Sequence, residues 1–262
     1  MDELPTPDSP EQSLDEVSGA TPSSESFFND ADEIESFVPV QPGDVHYQEI
    51  LGRDYVTCDG MTYWRPCDPE HFIFDFLITA GSYQEPTLVN PQKVLDIGAG
   101  AGIWAIEFAD KHPSASVIGT DVADKIAPIS VPPNLEILIE DCTKLWSFKD
   151  AEFDFIHARE LIGAIKNWKA LFAEAYRCLK PGKWFETIEP SFRIENRSHT
   201  IIPADNPLRL WESFFVESGK KRGTSFAILE EDIQRRAMVE VGFIDIQEQE
   251  LKVSGVSIRW PP

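Results

Sequence analysis

Seven residues, Asp96-Ile-Gly-Ala-Gly-Ala-Gly102, constrain this chain more than any others. They lie between the apolar run Lys93-Val-Leu-Asp-Ile97 and the periodic segment Ile103 to Lys111, which reads as strand, tight loop, helix. Glycine accepts positive φ and lets a backbone approach a ligand closely, and a helix start leaves N–H groups without intrahelical partners. The same alternation continues. Ser116 to Thr120, Leu135 to Ile139, Phe153 to His157 and Lys183 to Ile188 read as further strands, separated by helical or turn-rich stretches. That order is the mark of a parallel sheet with crossovers.

The clearest helix places Trp168, Leu171, Phe172, Ala175 and Leu179 on one stripe and ends at Pro181-Gly182. Another is expected from Leu229 to Val241, stopped by Gly242, and a third near Pro69, capped by Asp68 and carrying the apolar run His71 to Ile78. Pro128, Pro132 and Pro133 leave room for at most a turn or two of helix between Asp121 and Asn134, so one face there is expected to be thin. Residues 190–225 interrupt the alternation with Leu208, Trp211, Phe214 and Phe215 and read as a lid insertion. Phe243 to Val253 alternates apolar and polar residues as an antiparallel strand would, and Val256 to Trp260 supplies a last one. The expected fold is α/β: a doubly wound, Rossmann-like, seven-stranded, mostly parallel sheet.

A glycine bend of this kind also serves dinucleotides, so the loop alone leaves the ligand open. Two details separate the readings. Ile103 stands where the dinucleotide fingerprint wants its third glycine, and the acid Asp96 directly precedes the bend, where it would repel a pyrophosphate. It suits a ligand bearing an ammonium group and no phosphate, the amino-acid end of S-adenosyl-L-methionine. A nicotinamide-dependent dehydrogenase is the weaker reading. Asp121, closing the strand Val117-Ile-Gly-Thr with Val122 beside it, is placed to accept both ribose hydroxyls, or else to cap its own turn. After the third strand, Asp141 is placed to accept from the adenine amine while the Cys142 N–H donates to the ring. Joined at successive carboxyl ends, Asp96, Gly98, Gly100, Gly102, Asp121, Val122, Asp141 and Cys142 outline a nucleoside-shaped site.

Charge narrows the partners. The formal charge is −22, yet residues 1–45 carry twelve acids and no Lys or Arg precedes Arg53. Rich in Pro, Ser, Asp and Glu, residues 1–45 are expected to form a disordered acidic tail ahead of one domain, 46–262. The negative field disfavours nucleic acid and anionic lipid, and Lys220, Lys221 and Arg222 are too few to reverse it. No C-x-x-C pair joins Cys58, Cys67, Cys142 and Cys178, no zinc-ligand spacing is present, and neither a secretory signal nor a membrane span is legible. These features point to the cytosol or nucleus and to no metal.

Val94-Leu-Asp-Ile-Gly-Ala-Gly-Ala-Gly-Ile-Trp-Ala-Ile106, Val117-Ile-Gly-Thr-Asp121, Phe153-Asp-Phe-Ile-His-Ala-Arg159 and Leu179-Lys-Pro-Gly-Lys-Trp-Phe-Glu186 resemble the class I methyltransferases of the fungal LaeA-like group, over about residues 47–255. Gly52-Arg53-Asp54-Tyr55 is similar to that group's G-R-x-Y element, which implies an approach segment folded over the cofactor, with Tyr55 in contact. Ala99 and Ala101 depart from the group's G-T-G-T-G and remove two hydroxyls. The resemblance implies methyl transfer from S-adenosylmethionine to a small secondary metabolite, or a regulatory protein that binds the cofactor and acts through a protein partner. Should the acceptor be a hydroxyl, a base is required: His157 is the first candidate, Glu189 and His199 follow, and Arg159 is expected to pair with a local acid. The alternative for His157 is a ring packed beneath the cofactor.

Overall fold

Val94, Leu95, Asp96 and Ile97 are all buried, as a strand covered on both faces and flanked on both edges must be. In the computed structural model, which describes residues 40, 43–58, 61–68, 90–124, 128, 130–194, 202–203 and 205–250, this segment is the centre of the main sheet. An antiparallel ribbon precedes it, made of β1 (Val45–Ile50), β2 (Arg53–Cys58) and β3 (Met61–Thr62). The rest follows as β4 (Lys93–Ile97), α1 (Ile103–Lys111), β5 (Ser116–Asp121), β6 (Leu135–Ile139), β7 (Phe153–Arg159), α2 (Trp168–Cys178), β8 (Leu179–Ile188), α3 (Pro207–Arg222) and α4 (Ile233–Val241).

The five strands of the main sheet run parallel in the order β6-β5-β4-β7-β8. The chain steps outward from β4 through β5 to β6, then crosses back to β7 and β8. The order therefore reverses between β4 and β7, and the crevice at their carboxyl ends is where such sheets take ligands. On one side Trp104, Ala105, Phe108 and Ala109 of α1 pack with Val94, Val117, Leu135 and Phe155. Asn134 holds this layer together: its Nδ2 donates to the carbonyls of Ala109, His112 and Ala115 at 3.1, 3.2 and 3.0 Å, tying the end of α1 to the start of β5. Asn134→Ala leaves these acceptors without their donor and is expected to lower stability by about 1–3 kcal/mol, read as a lower urea midpoint at unchanged slope.

The helix over Trp168 is found, with Asn167 capping it through Ala170 N, but it ends at Cys178, ahead of Leu179 and Pro181-Gly182. Three readings change. The helix expected from Leu229 begins at Ile233, because Asp232 takes φ 52° and the residues before it form turns. β8 starts at Leu179, paired with Phe153, bulges through Pro181-Gly182, and resumes with Trp184 opposite Phe155. Phe243 to Glu250 forms no strand, so five of the seven expected strands are seen among the described residues. Asp245 sits at φ 55°, which breaks an extended run, and Phe243 instead plugs against Tyr176 and Phe185, with ring centroids 5.2 and 5.7 Å away. The connection from β5 to β6 shows no α-helix among its described residues, as the prolines imply. The acidic tail through residue 39, the helix near Pro69, His199 and the strand at Val256 lie outside the described residues.

The ribbon was not legible beforehand. Its hairpin turn, Leu51-Gly52, has φ 53° and 76° with Ile50 opposite Arg53, a two-residue turn that usually announces itself by Asn-Gly or Asp-Gly. Val56 and Cys67 pack on Ala123 with Val45, Tyr47, Tyr63 and Val122 around them, so the ribbon sits over the end of β5. None of the described helices is long and apolar enough to cross a membrane.

Candidate functional site

Gly98, Gly100 and Gly102 all take positive φ, 66°, 58° and 73°, so the bend after β4 uses the conformation for which glycine is suited. Two hydrogen bonds stitch it to β5: Ala99 N donates to Thr120 O at 2.9 Å, and Gly100 N donates to Asp121 Oδ2 at 2.9 Å. The other carboxylate oxygen of Asp121 accepts from Ala123 N at 2.8 Å. The capping reading of Asp121 is thus observed, and a carboxylate keeps accepting capacity beyond two donors. Burial pushes its carboxyl up, while the backbone donors of Ala123 and Gly100 oppose that.

Asp96 is 2% exposed. Its Oδ1 lies 2.8 Å from His157 Nδ1, and its Oδ2 is buried without a hydrogen-bond partner among the described residues. Leaving a buried acceptor unpaired is unfavourable by about 1–3 kcal/mol, more when it is charged. An orphan carboxylate oxygen beside a glycine bend therefore fits an ammonium-bearing guest and opposes a phosphate. Past β6, Asp141 Oδ1 accepts from Thr143 N at 2.9 Å and Thr143 Oγ1 at 2.7 Å, which fixes the carboxylate in its turn. Burial holds the neighbouring Cys142 thiol well above its ordinary range, so it remains a thiol, and Cys142 O accepts from Trp146 Nε1 at 3.0 Å. Asp96, the glycines, Asp121, Val122, Asp141 and Cys142 thus follow the carboxyl ends of β4, β5 and β6, strands that are adjacent in the sheet.

The base candidates are placed otherwise than expected. The His157 ring has no exposure; Trp104 stacks on it at a centroid distance of 3.9 Å and an interplanar angle of 3°, and Asp96 takes its Nδ1. An acceptor cannot reach it there, so the expectation of a base gives way to that of a ring packed within the site's floor. Glu189 is engaged by the backbone. Its two carboxylate oxygens accept from Leu161 N at 3.0 Å and Ile162 N at 2.9 Å, which spends the group on holding the loop after β7. Burial pushes its carboxyl up to about 8, against these two donors. Arg159 pairs with the adjacent Glu160 at 3.4 Å, as read.

The ribbon reaches the same edge. Tyr47 donates to Asp124 Oδ1 at 2.6 Å, Trp64 Nε1 donates to Ile162 O at 2.7 Å, and Arg65 pairs with Glu160. Arg53 holds Asp68 with two nitrogens, Nη2 to Oδ1 at 2.8 Å being one contact. Tyr55 alternates with Val56, so its side chain projects from the face opposite the one packed on Ala123. Trp64, just past the ribbon, joins an aromatic cluster: Phe192, Phe215 and Phe226 lie 5.8, 5.6 and 5.0 Å from its ring. This cluster is the part that the sequence did not announce: Trp64 follows Tyr63 in a short segment with no periodicity to mark it.

A family model described as "Methyltransferase domain" matches residues 69–244. The chain is 33% identical over 229 residues to the secondary metabolism regulator LAE1 of Cochliobolus heterostrophus, which covers 82% of this chain and 73% of that one. It is 34% identical over 163 residues to the protein-methionine methyltransferase laeA of Emericella nidulans, spanning 58% of this chain and 43% of that protein. Among solved structures, a phosphoethanolamine N-methyltransferase 2 of Haemonchus contortus, in complex with phosphomonomethylethanolamine and S-adenosylhomocysteine, aligns at 23% identity with a TM-score of 0.47, over 67% of this chain and 38% of its own.

Proposed function

The chain belongs to the methyltransferase-domain family, and on that premise we propose that it binds S-adenosyl-L-methionine at the carboxyl ends of β4, β5 and β6 and transfers the methyl group to a small secondary metabolite. The observation that carries the ligand assignment is the buried, partnerless Asp96 Oδ2 before the glycine bend. Bound there, the cofactor supplies a methyl group already activated on a sulfonium. Asp96 would take the ammonium, Asp121 the ribose hydroxyls through its remaining accepting capacity, and Asp141 with Cys142 the adenine edge. Displacement at an activated methyl needs alignment and dryness more than a nucleophilic side chain, and well-oriented reactants gain on the order of 7–11 kcal/mol.

The acceptor would enter on the side of the lid segment, 190–225. There Trp64, Phe192, Phe215 and Phe226 offer an apolar wall, and α3 exposes Trp211 and Phe214. Such a lining favours an acceptor with an apolar or planar body. Cys142 and Cys178 form no disulfide, which supports a reading of cytosol or nucleus. A second reading, a regulator that binds the cofactor and works through a protein partner, is supported by what the LAE1 relative is named for.

Calorimetric titration of the purified chain with S-adenosylhomocysteine and, separately, with NAD tests the ligand. Heat is expected with the first and none with the second; heat with NAD alone would overturn the assignment. Turnover of an added acceptor then separates the enzyme from the regulator.

A further inference from the structure

Asp96, His157 and Glu186 are register partners on β4, β7 and β8, so parallel pairing sets their side chains in one row on one face of the sheet. His157 stands between two carboxylates. Its Nδ1 lies 2.8 Å from Asp96 Oδ1, and its Nε2 lies 4.0 Å from Glu186 Oε2. Three atoms of this row, Asp96 Oδ2, His157 Nε2 and Glu186 Oε2, are buried without a hydrogen-bond partner among the described residues. Trp104 closes the face of the ring.

Among the described residues the imidazole is the one polar group that touches Asp96. A buried carboxylate with no countercharge is strongly disfavoured and tends to take up a proton. A neutral ring offers it one ordinary N–H. A ring with a proton on each nitrogen offers a charge-assisted bond, about twice as strong. Glu186 Oε2 lies 4.0 Å from the nitrogen that would carry the second proton.

We propose that Glu186 is a positioning residue of the cofactor pocket: it holds a proton on His157 Nε2, and the ring so charged keeps Asp96 ionised, with Oδ2 free for the ligand's ammonium group. This rests on the reading that the pocket takes S-adenosylmethionine. Burial pushes the Glu186 carboxyl up, and the His157 ring opposes that. The row also explains why His157, on the strand next to Asp96, is enclosed rather than presented to an acceptor. Its work is electrostatic and is directed inward.

Two ligands isolate the effect. S-adenosylhomocysteine carries the ammonium, whereas 5′-methylthioadenosine keeps the nucleoside and lacks it. Glu186→Gln preserves shape and removes the charge. It is expected to weaken S-adenosylhomocysteine about tenfold and to change 5′-methylthioadenosine by less than about twofold. Nitrogen-15 spectra of histidine-labelled chain at neutral pH should show both His157 nitrogens protonated in the native protein, and a lone pair on one of them in Glu186→Gln. Equal weakening of the two ligands, an unchanged ratio, or a lone pair on a native His157 nitrogen would each overturn the proposal. If Glu186→Gln is insoluble, the native spectrum decides alone. If neither ligand binds the native chain, the cofactor reading fails and takes this proposal with it; binding of both with an unaltered ratio sinks this one only.

Discussion

Asp121→Ala is expected to weaken S-adenosylhomocysteine binding by roughly a hundredfold. Two ribose hydroxyls donating to a carboxylate are worth about 1.5 kcal/mol each at the low end, and about 3 kcal/mol corresponds to a little over two decades of affinity. The structure adds a reason for the loss to be at least that large. The same carboxylate receives Gly100 N and Ala123 N, so its removal slackens the bend that must meet the ligand. Asp121→Asn keeps one oxygen acceptor and should fall between the native and alanine chains. Calorimetry on folded protein checks both, and an alanine chain that binds within about threefold of native would remove the ribose role.

The second large effect concerns folding. Gly98→Ala forces an L side chain to φ 66°, and the added Cβ would lie 2.5 Å from Leu161 Cδ2. The left-handed conformation costs about 1–2 kcal/mol for a residue with a Cβ, and overpacking adds about 1–3 kcal/mol. The Leu161 side chain is itself buried, 6% exposed, which limits its room to turn away. A loss of about 2–5 kcal/mol in urea unfolding is therefore expected. A chain as stable as native would mean that the loop after β7 gives way more readily than these bonds imply.

Much of the sheet was legible because it rests on short-range rules. An apolar run broken by glycines, then a helical stripe, recurs along the chain, and each strand of the main sheet was found near its expected position. The site acids were legible for the same reason, since they stand at strand ends that the alternation marks. What escaped depended on pairing between distant segments. The ribbon's turn carries Leu51 at a position with positive φ, where local residue preferences point elsewhere. The Phe243 segment alternates as a strand would, yet alternation does not supply a partner, and Asp245 turns the backbone away. His157 and Glu189 were read as bases from residue type and strand position. Whether such a group meets an acceptor or is consumed by its neighbours depends on Trp104, Asp96, Leu161 and Ile162, which only the fold brings to them.

The family model begins to match at residue 69, past the last residue of the ribbon. An expression clone cut at that point would retain all five strands of the main sheet. It would also strip Val56 and Cys67 from Val122 and Ala123, remove the tyrosine that grips Asp124, and remove the indole that donates to Ile162 O. Solvent would then reach Val122 and Ala123 at the end of β5. A shortened protein of that kind would mislead a binding screen, so clones meant for ligand work should begin ahead of Val45.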